Sequence, residues 1–246
     1  MTRPIDISVV VPALDEEVSI GQLVTEIDRA MQGFDFELIV IDDGSRDATA
    51  AWLSELAQRF DRLRPVHHPV PVGQSGAIRQ GVRLARGRLI VTLDGDGQNP
   101  PDQVPALLAP LLADSTGRLG LVQGERAGRK DTLAKQLGSR IANAIRQALL
   151  RDGVRDSGCG LKAFRRDAYL ELPWFDHIHR FMPAMMLREG WKVQTVPVTH
   201  RPRAGGRSKY NNLQRALVGL VDLAGAAWLI RRAKLLPPDD GNDTKT

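Results

Sequence analysis

Leu89-Ile-Val-Thr-Leu-Asp94-Gly-Asp96-Gly-Gln98-Asn-Pro-Pro-Asp102 is the stretch on which the rest of the chain is organised. Its apolar run reads as a short strand of the kind buried in a parallel sheet, and two prolines stop it. Alternate strand residues face the same way, so Asp94 and Asp96 share a face if extension persists between them. Gly95 lets another group approach the backbone closely, and Gly97 permits a turn that ordinary residues resist. Two hard oxygen donors at a strand's carboxyl end, with the Gln98 amide just beyond, make a seat for Mg2+ or Mn2+. Such ions keep positions open for substrate phosphates. The plainer alternative is an Asp/Gly-rich turn that merely ends a strand.

Upstream, strands alternate with helices. Ile5–Val11 is a β-branched strand closed by Pro12, and apolar residues from Ile20 to Met31 fall at helical spacing. Phe36–Ile41 is a second strand, ending in Asp42-Asp43-Gly-Ser45. Ser45 is expected to cap a helix whose inward side carries Ala48, Trp52, Leu53 and Leu56. A short strand near Leu63–His67 leads to Gly73-Gln-Ser-Gly76 and a helix ending at Gly87. After the opening stretch come a Pro-initiated helix, Asp102–Ala113, and a strand, Leu119–Gly124. Such alternation predicts βαβ units around a mostly parallel sheet. Ligands of these sheets lie outside the carboxyl ends of the strands. The polar segments 12–16, 42–45 and 94–98 all fall there.

The second half is less regular. Lys130–Leu150 reads as a long helix with a basic face, Asp156–Gly160 as a loop, Leu161–Phe164 as a short strand and Trp191–Val198 as a longer one. A basic loop follows, Arg201 to Tyr210. The last helix, about Asn211 to Arg232, carries Leu213, Leu217, Leu220, Val221, Ala224 and Trp228 on one stripe. One face of it is read as an interfacial surface with arginines on lipid headgroups, and a core helix is the competing reading. Residues 1–210 are expected to form one domain, 211–236 the amphipathic helix and 237–246 a disordered tail.

Composition narrows the classes. In 246 residues, 42% are hydrophobic, which excludes general disorder. The single cysteine, Cys159, excludes an intramolecular disulfide framework. The N-terminus reads as lacking a signal peptide, and no run reaches the ~18 apolar residues of a spanning helix. Of the net charge of +5, residues 201–236 hold eight Lys/Arg against Asp222 alone, a local +7 that leaves the remainder at −2. A basic end predicts phosphate-bearing partners. Nucleic acid fits poorly, because aromatics make up just 5% and no recognition module is present.

Taken together, Val10-Val-Pro12-x-x-Asp-Glu16, Val40-Ile-Asp42-Asp43-Gly-Ser45 and Asp94-Gly-Asp96-Gly-Gln98-Asn-Pro-Pro resemble family 2 glycosyltransferases of the GT-A fold. Asp156-Ser-Gly158, His179-Arg-Phe-Met-Pro183 and Gly206-Arg-Ser-Lys-Tyr210 are similar to the polyprenol-phosphate sugar transferase branch, typified by dolichol-phosphate mannosyltransferase. The resemblance covers roughly residues 6–232. It implies an α/β fold: a single Rossmann-like GT-A domain, with a mostly parallel sheet flanked by helices, plus the C-terminal amphipathic helix. It also implies that Pro12, Leu14, Glu16, Asp42, Asp43 and Asp94 bind the nucleotide, and that Asp94, Asp96 and Gln98 hold the metal. Arg126 and Arg140 would grip the acceptor's phosphate, and Arg203, Arg207 and Lys209 would close over the diphosphate. The chain departs from the family at Leu14-Asp15, where Asn or Tyr-Asn is usual, at Gly95, where alanine is common, and in lacking the appended transmembrane helices of many relatives.

The implied reaction moves a sugar from a GDP- or UDP-linked donor to a polyprenyl phosphate with inversion, assisted by Mg2+ or Mn2+. Its place is the cytoplasmic face of a membrane, in peripheral contact. Asp96, Arg126 and Arg140 carry the chemistry in this reading, since an ionised phosphate nucleophile needs no strong general base. The alternative is a GT-A enzyme acting on a polysaccharide or another envelope glycan. His67 and His68 are read as chemically idle, His179 as structural or loop-ordering, Cys159 as a small buried residue, and Arg146 as part of a solvated face. Oligomeric state and donor identity stay open.

Overall fold

The computed structural model describes residues 5–126, 146–202 and 212–234, with side chains of the last segment described from residue 218. Among these residues seven strands form one sheet: β1 (Ile7–Ala13), β2 (Phe36–Asp42), β3 (Leu63–His67), β4 (Leu89–Thr92), β5 (Leu119–Arg126), β6 (Lys162–Arg165) and β7 (Lys192–Val198). Their order across the sheet is β3-β2-β1-β4-β6-β5-β7. All neighbours run parallel except at β6, which is antiparallel to both β4 and β5.

Alternation along the strands divides the core into two layers. Val9 and Val11 of β1, Leu38 and Val40 of β2, and Leu89 and Val91 of β4 pack beneath α1 (Ile20–Ala30), α2 (Thr49–Ala57) and α4 (Val104–Ala113). Val10, Ile39, Ile41 and Ile90 face the other way, onto α3 (Gln74–Leu84), the helices Arg166–Leu170 and Met182–Arg188, and the final helix Asn212–Arg231. Both faces being covered explains why these strands read as unbroken apolar runs.

Three expectations need correction, at Ser45, Trp52 and Arg146. The N-cap of α2 is Ala48, and Ser45 instead accepts a hydrogen bond from the Asp15 backbone through Oγ at 2.9 Å. Ser45 therefore joins two strand ends rather than starting a helix. Trp52 lies outward, 45% exposed, and the buried residues of α2 are Thr49, Leu53 and Leu56. Arg146 is not solvated: it lies in an ion pair with the buried Asp152 and donates through Nη1 to the Val154 carbonyl at 2.9 Å. On the final helix, Leu223, Ala226 and Ala227 enter the core while Leu220, Val221, Ala224 and Trp228 are exposed. The helix thus packs on the domain by one face and presents the outer part of the expected stripe on another. No described helix is long and apolar enough to cross a membrane.

Candidate active site

The carboxyl ends of β1, β2 and β4 point the same way because β1 pairs in parallel with both others, Ala13 opposite Asp42 and Val10 opposite Thr92. Backbone bonds then run past the strands: Asp43 N donates to Ala13 O at 2.8 Å, and Gly95 N to Pro12 O at 3.2 Å. A Cβ on Gly95 would stand 2.9 Å from the Pro12 carbonyl oxygen, so glycine lets the two segments approach without a shift of the β1 end. Gly97 adopts φ +71°, which turns the chain after Asp96. Ser19 Oγ closes the assembly by donating to Gly95 O at 2.9 Å. The three polar segments expected at these ends do converge.

Asp42 and Asp43 are buried beside one another. Asp42 accepts from Ser45 N at 3.1 Å and lies 3.0 Å from His67 Nδ1. Asp43 accepts from Val72 N and Gly73 N, both at 2.8 Å, and lies 2.7 Å from His68 Nδ1. His67 and His68 are therefore not idle, because they complete the hydrogen-bond shells of both aspartates. Asp43 also pins the loop that ends at Gly73, and the next residue, Gln74, donates through Nε2 to Asp94 Oδ1 at 2.7 Å. Pro12, Leu14 and Glu16 border the same edge, each half-buried. Glu16 is fixed by its backbone N–H on Thr49 Oγ1 at 2.8 Å.

Asn99 Nδ2 donates to Asp94 Oδ2 at 3.2 Å, opposite Gln74. Asp94 keeps some contact with solvent, yet the atoms crowding its carboxyl group and the neighbouring charge of Asp96 push its pKa up. Asp96 accepts from Gln98 N at 3.1 Å. Among the described residues no three His, Cys, Asp or Glu side chains gather as a metal cage. A pair of mutually repelling carboxylates, braced by amide N–H groups and short of protein ligands, fits a divalent cation that completes its shell on phosphate oxygens. Gln98 Nε2 is committed to Arg201 O at 3.3 Å, and Arg201 N donates to Gln98 O at 2.9 Å. These bonds bring the chain that enters the basic loop to the Asp96 turn. Arg203, Arg207 and Lys209 of that loop, and Arg140, lie outside the described residues.

On the other flank, the antiparallel β6 carries its preceding turn up to Asp94. Thr92 Oγ1 donates to Gly160 O at 2.9 Å, and a Cβ on Gly160 would fall 2.2 Å from Asp94 Oδ2. Asp156 of the same turn grips Arg126 at the end of β5 in a fork, Nε to Oδ2 at 2.6 Å and Nη2 to Oδ1 at 2.8 Å. That pairing raises the Arg126 pKa, so its charge is permanent. Lys162, 2% exposed, reaches back beneath the turn and donates through Nζ to the Ser157 carbonyl at 3.3 Å and to the Cys159 carbonyl. The Cys159 thiol is buried and its pKa pushed up, consistent with a packing role. His179 is buried with Nδ1 2.6 Å from Ser75 Oγ, and burial pushes its pKa down, in keeping with a structural role.

Gln74, Asn99, Gly160 and Lys162 are the residues that sequence reasoning missed. Lys162 left one signal, a cation interrupting the apolar strand Leu161–Phe164. Asn99 lies within the quoted Asp94-Gly-Asp96-Gly-Gln98-Asn motif, five residues from the carboxylate it braces, whereas the roles of Gln74 and Gly160 arise from contacts between distant segments.

A sequence profile described as Glycosyl transferase family 2 matches residues 8–172. The dodecaprenyl-phosphate galacturonate synthase of Rhizobium johnstonii is 34% identical over 235 residues, covering 93% of this chain and 68% of that protein. The undecaprenyl-phosphate 4-deoxy-4-formamido-L-arabinose transferase of Enterobacter sp. (strain 638) is 36% identical over 219 residues, 83% of this chain and 62% of that protein. The chain thus spans from 62% to 68% of these two relatives. Among solved structures, glucosyl-3-phosphoglycerate synthase from Mycobacterium tuberculosis with UDP aligns with TM-score 0.68 at 24% identity, over 91% of this chain and 80% of that one. The same enzyme with Mn2+, UDP and glucosyl-3-phosphoglycerate aligns with TM-score 0.69 at 22% identity, over 95% and 81%. At these identities the likeness is one of fold, the GT-A arrangement.

Proposed function

The chain belongs to glycosyl transferase family 2, and on that premise we propose that it moves a sugar, with inversion, from a nucleoside diphosphate to a polyprenyl phosphate. The observation that carries this reading is the Asp94–Asp96 pair at the strand ends, with the Asp156-clamped Arg126 on its other flank. Negative charge belongs on both sides of such a pocket, a departing diphosphate on one and an attacking phosphate on the other. The curated relatives named above are both polyprenyl-phosphate sugar enzymes, and the two M. tuberculosis structures hold UDP, one of them with Mn2+.

In this reading Pro12, Leu14, Glu16, Asp42 and Asp43 shape the base and ribose site, with His67 and His68 holding the two aspartates still. Asp94, Asp96 and Gln98 seat Mg2+ or Mn2+, which supplies positive charge to the leaving diphosphate. Arg203, Arg207 and Lys209 close over that diphosphate from the segment anchored on Gln98. Arg126 and Arg140 present the acceptor phosphate. Its oxygen is already ionised, so the chain needs to orient it rather than deprotonate it. Residues 1–210 are the catalytic unit, residues 211–236 the helix that meets the membrane, and residues 237–246 the tail. The outward Leu220, Val221 and Trp228, 60%, 73% and 61% exposed, with Arg231 and Arg232 beside them, suit a shallow peripheral contact at the cytoplasmic face.

The test is a panel of radiolabelled GDP- and UDP-sugars with undecaprenyl phosphate, with and without Mn2+, followed by organic extraction. One donor is expected to label the lipid phase in a metal-dependent way. Label in no lipid fraction, or only in a glycan polymer, overturns the acceptor assignment. Arg126→Lys keeps the charge but loses the planar fork. It is expected to raise KM for the lipid phosphate about tenfold while KM for the nucleotide sugar holds. An unchanged lipid KM removes Arg126 from the acceptor site.

A further inference from the structure

The Asp156–Gly160 turn touches both halves of the site: its first residue clamps Arg126, and its last lies against Asp94. A buried cation lies beneath the turn. Lys162 stands opposite Thr92 on β4 and Gln123 on β5, between the strand that ends near Asp94 and the strand that ends at Arg126. Its ammonium points back under the turn onto the carbonyls of Ser157 and Cys159. Gln123 Nε2 supports the same turn from β5, donating to Asp156 O at 3.3 Å and to Cys159 O at 3.2 Å.

We propose that Lys162 is a positioning residue, whose ammonium fixes the Asp156–Gly160 turn so that Arg126 and Asp94 are held in register across the reaction site. Its effect on lipid-phosphate use rests on the function proposed above, while its effect on Arg126 does not.

The chemistry supports a functional rather than a stabilising cation. Neutral carbonyls are its hydrogen-bond partners, with the charges of Asp94 and Asp156 nearby, and burial pushes its pKa down. A buried ammonium without a carboxylate in direct contact costs desolvation that an apolar side chain of similar length avoids. A residue kept for stability alone is better as methionine.

The experiment compares the parent chain with Lys162→Met in three measurements. Thermal unfolding is expected to stay level or rise. The Nε–H resonance of Arg126, assigned through Arg126→Lys, is expected to be sharp and slow to exchange in the parent and broadened or lost in Lys162→Met. Transfer to undecaprenyl phosphate is expected to lose about tenfold in kcat/KM, and Lys162→Met added to Arg126→Lys should raise KM for the lipid phosphate little beyond Arg126→Lys alone, which is the quantity in which additivity is judged. An Arg126 resonance equally protected in both chains overturns the inference, whether or not the parent uses a lipid acceptor. Full additivity of the two substitutions overturns it as well. Should Lys162→Met fail to fold, Lys162→Arg replaces it. Retained protection at Arg126 with the longer guanidinium then supports the positioning role, and its loss with full transfer activity overturns it.

Discussion

Asp96→Ala is expected to lower kcat/KM for sugar transfer by about 10³-fold or more, since it removes half of the carboxylate pair that, in the proposed mechanism, seats the cation against the leaving diphosphate. The substitution lies in a turn after the strand and takes away one hydrogen bond, that from Gln98 N. Folding should therefore survive with a small loss, and thermal unfolding alongside the assay checks it. Asp94→Asn gives the complementary case. The Asp94 pKa is raised by burial and by Asp96, so the folded state binds that proton more tightly than the unfolded chain. Such a group costs stability above its folded pKa, and the cost fades as pH falls through that pKa towards the ordinary carboxylate value. In metal-free protein at neutral pH, Asp94→Asn should unfold no lower than the parent, while transfer collapses and calorimetric binding of Mn2+ with UDP weakens. Near-parental transfer in either variant would remove the carboxylate pair from the mechanism.

Gly160→Ala is expected to cost about 10²-fold in transfer through geometry alone, because misplacement of a reacting group by roughly 1 Å has effects of that size. Its added methyl group would meet all three terminal atoms of the Asp94 carboxyl group, at 2.2, 2.4 and 2.4 Å. Asp94 has little room to yield, being held by Gln74 at 2.7 Å and Asn99 at 3.2 Å. Either those bonds break or the turn lifts away from Thr92. Overpacking of this kind costs about 1–3 kcal/mol. In a chain of this length that lowers Tm by roughly 2–4 °C per kcal/mol. Gly158→Ala is the matched control, for its Cβ would meet nothing closer than 3.9 Å. The two variants should separate by an order of magnitude or more in activity. Equal behaviour would mean that the turn does not set the position of Asp94.

The family resemblance and the strand-end logic were both legible in residues 12–16, 42–45 and 94–98, because each depends on near neighbours in sequence. An apolar run stopping at a carboxylate declares itself without reference to the rest of the chain. Local pattern failed where a polar side chain had two possible uses. Ser45 has the chemistry of a cap, but the β1 end 30 residues away offers its Oγ the Asp15 N–H, and α2 starts later. His67 and His68 looked idle because the aspartates they face lie on the neighbouring strand end, 25 residues earlier.

Sequence by itself determined the alternating architecture, the buried strands and the edge at which the acidic clusters gather, since period and turn chemistry are properties of short segments. Tertiary structure alone decided that β6 runs antiparallel between β4 and β5, and with it that Gly160 meets Asp94, Asp156 clamps Arg126 and Lys162 lies beneath both. It also decided which face of the final helix enters the core. These outcomes depend on which distant surfaces bury each other best, and no local period encodes that choice.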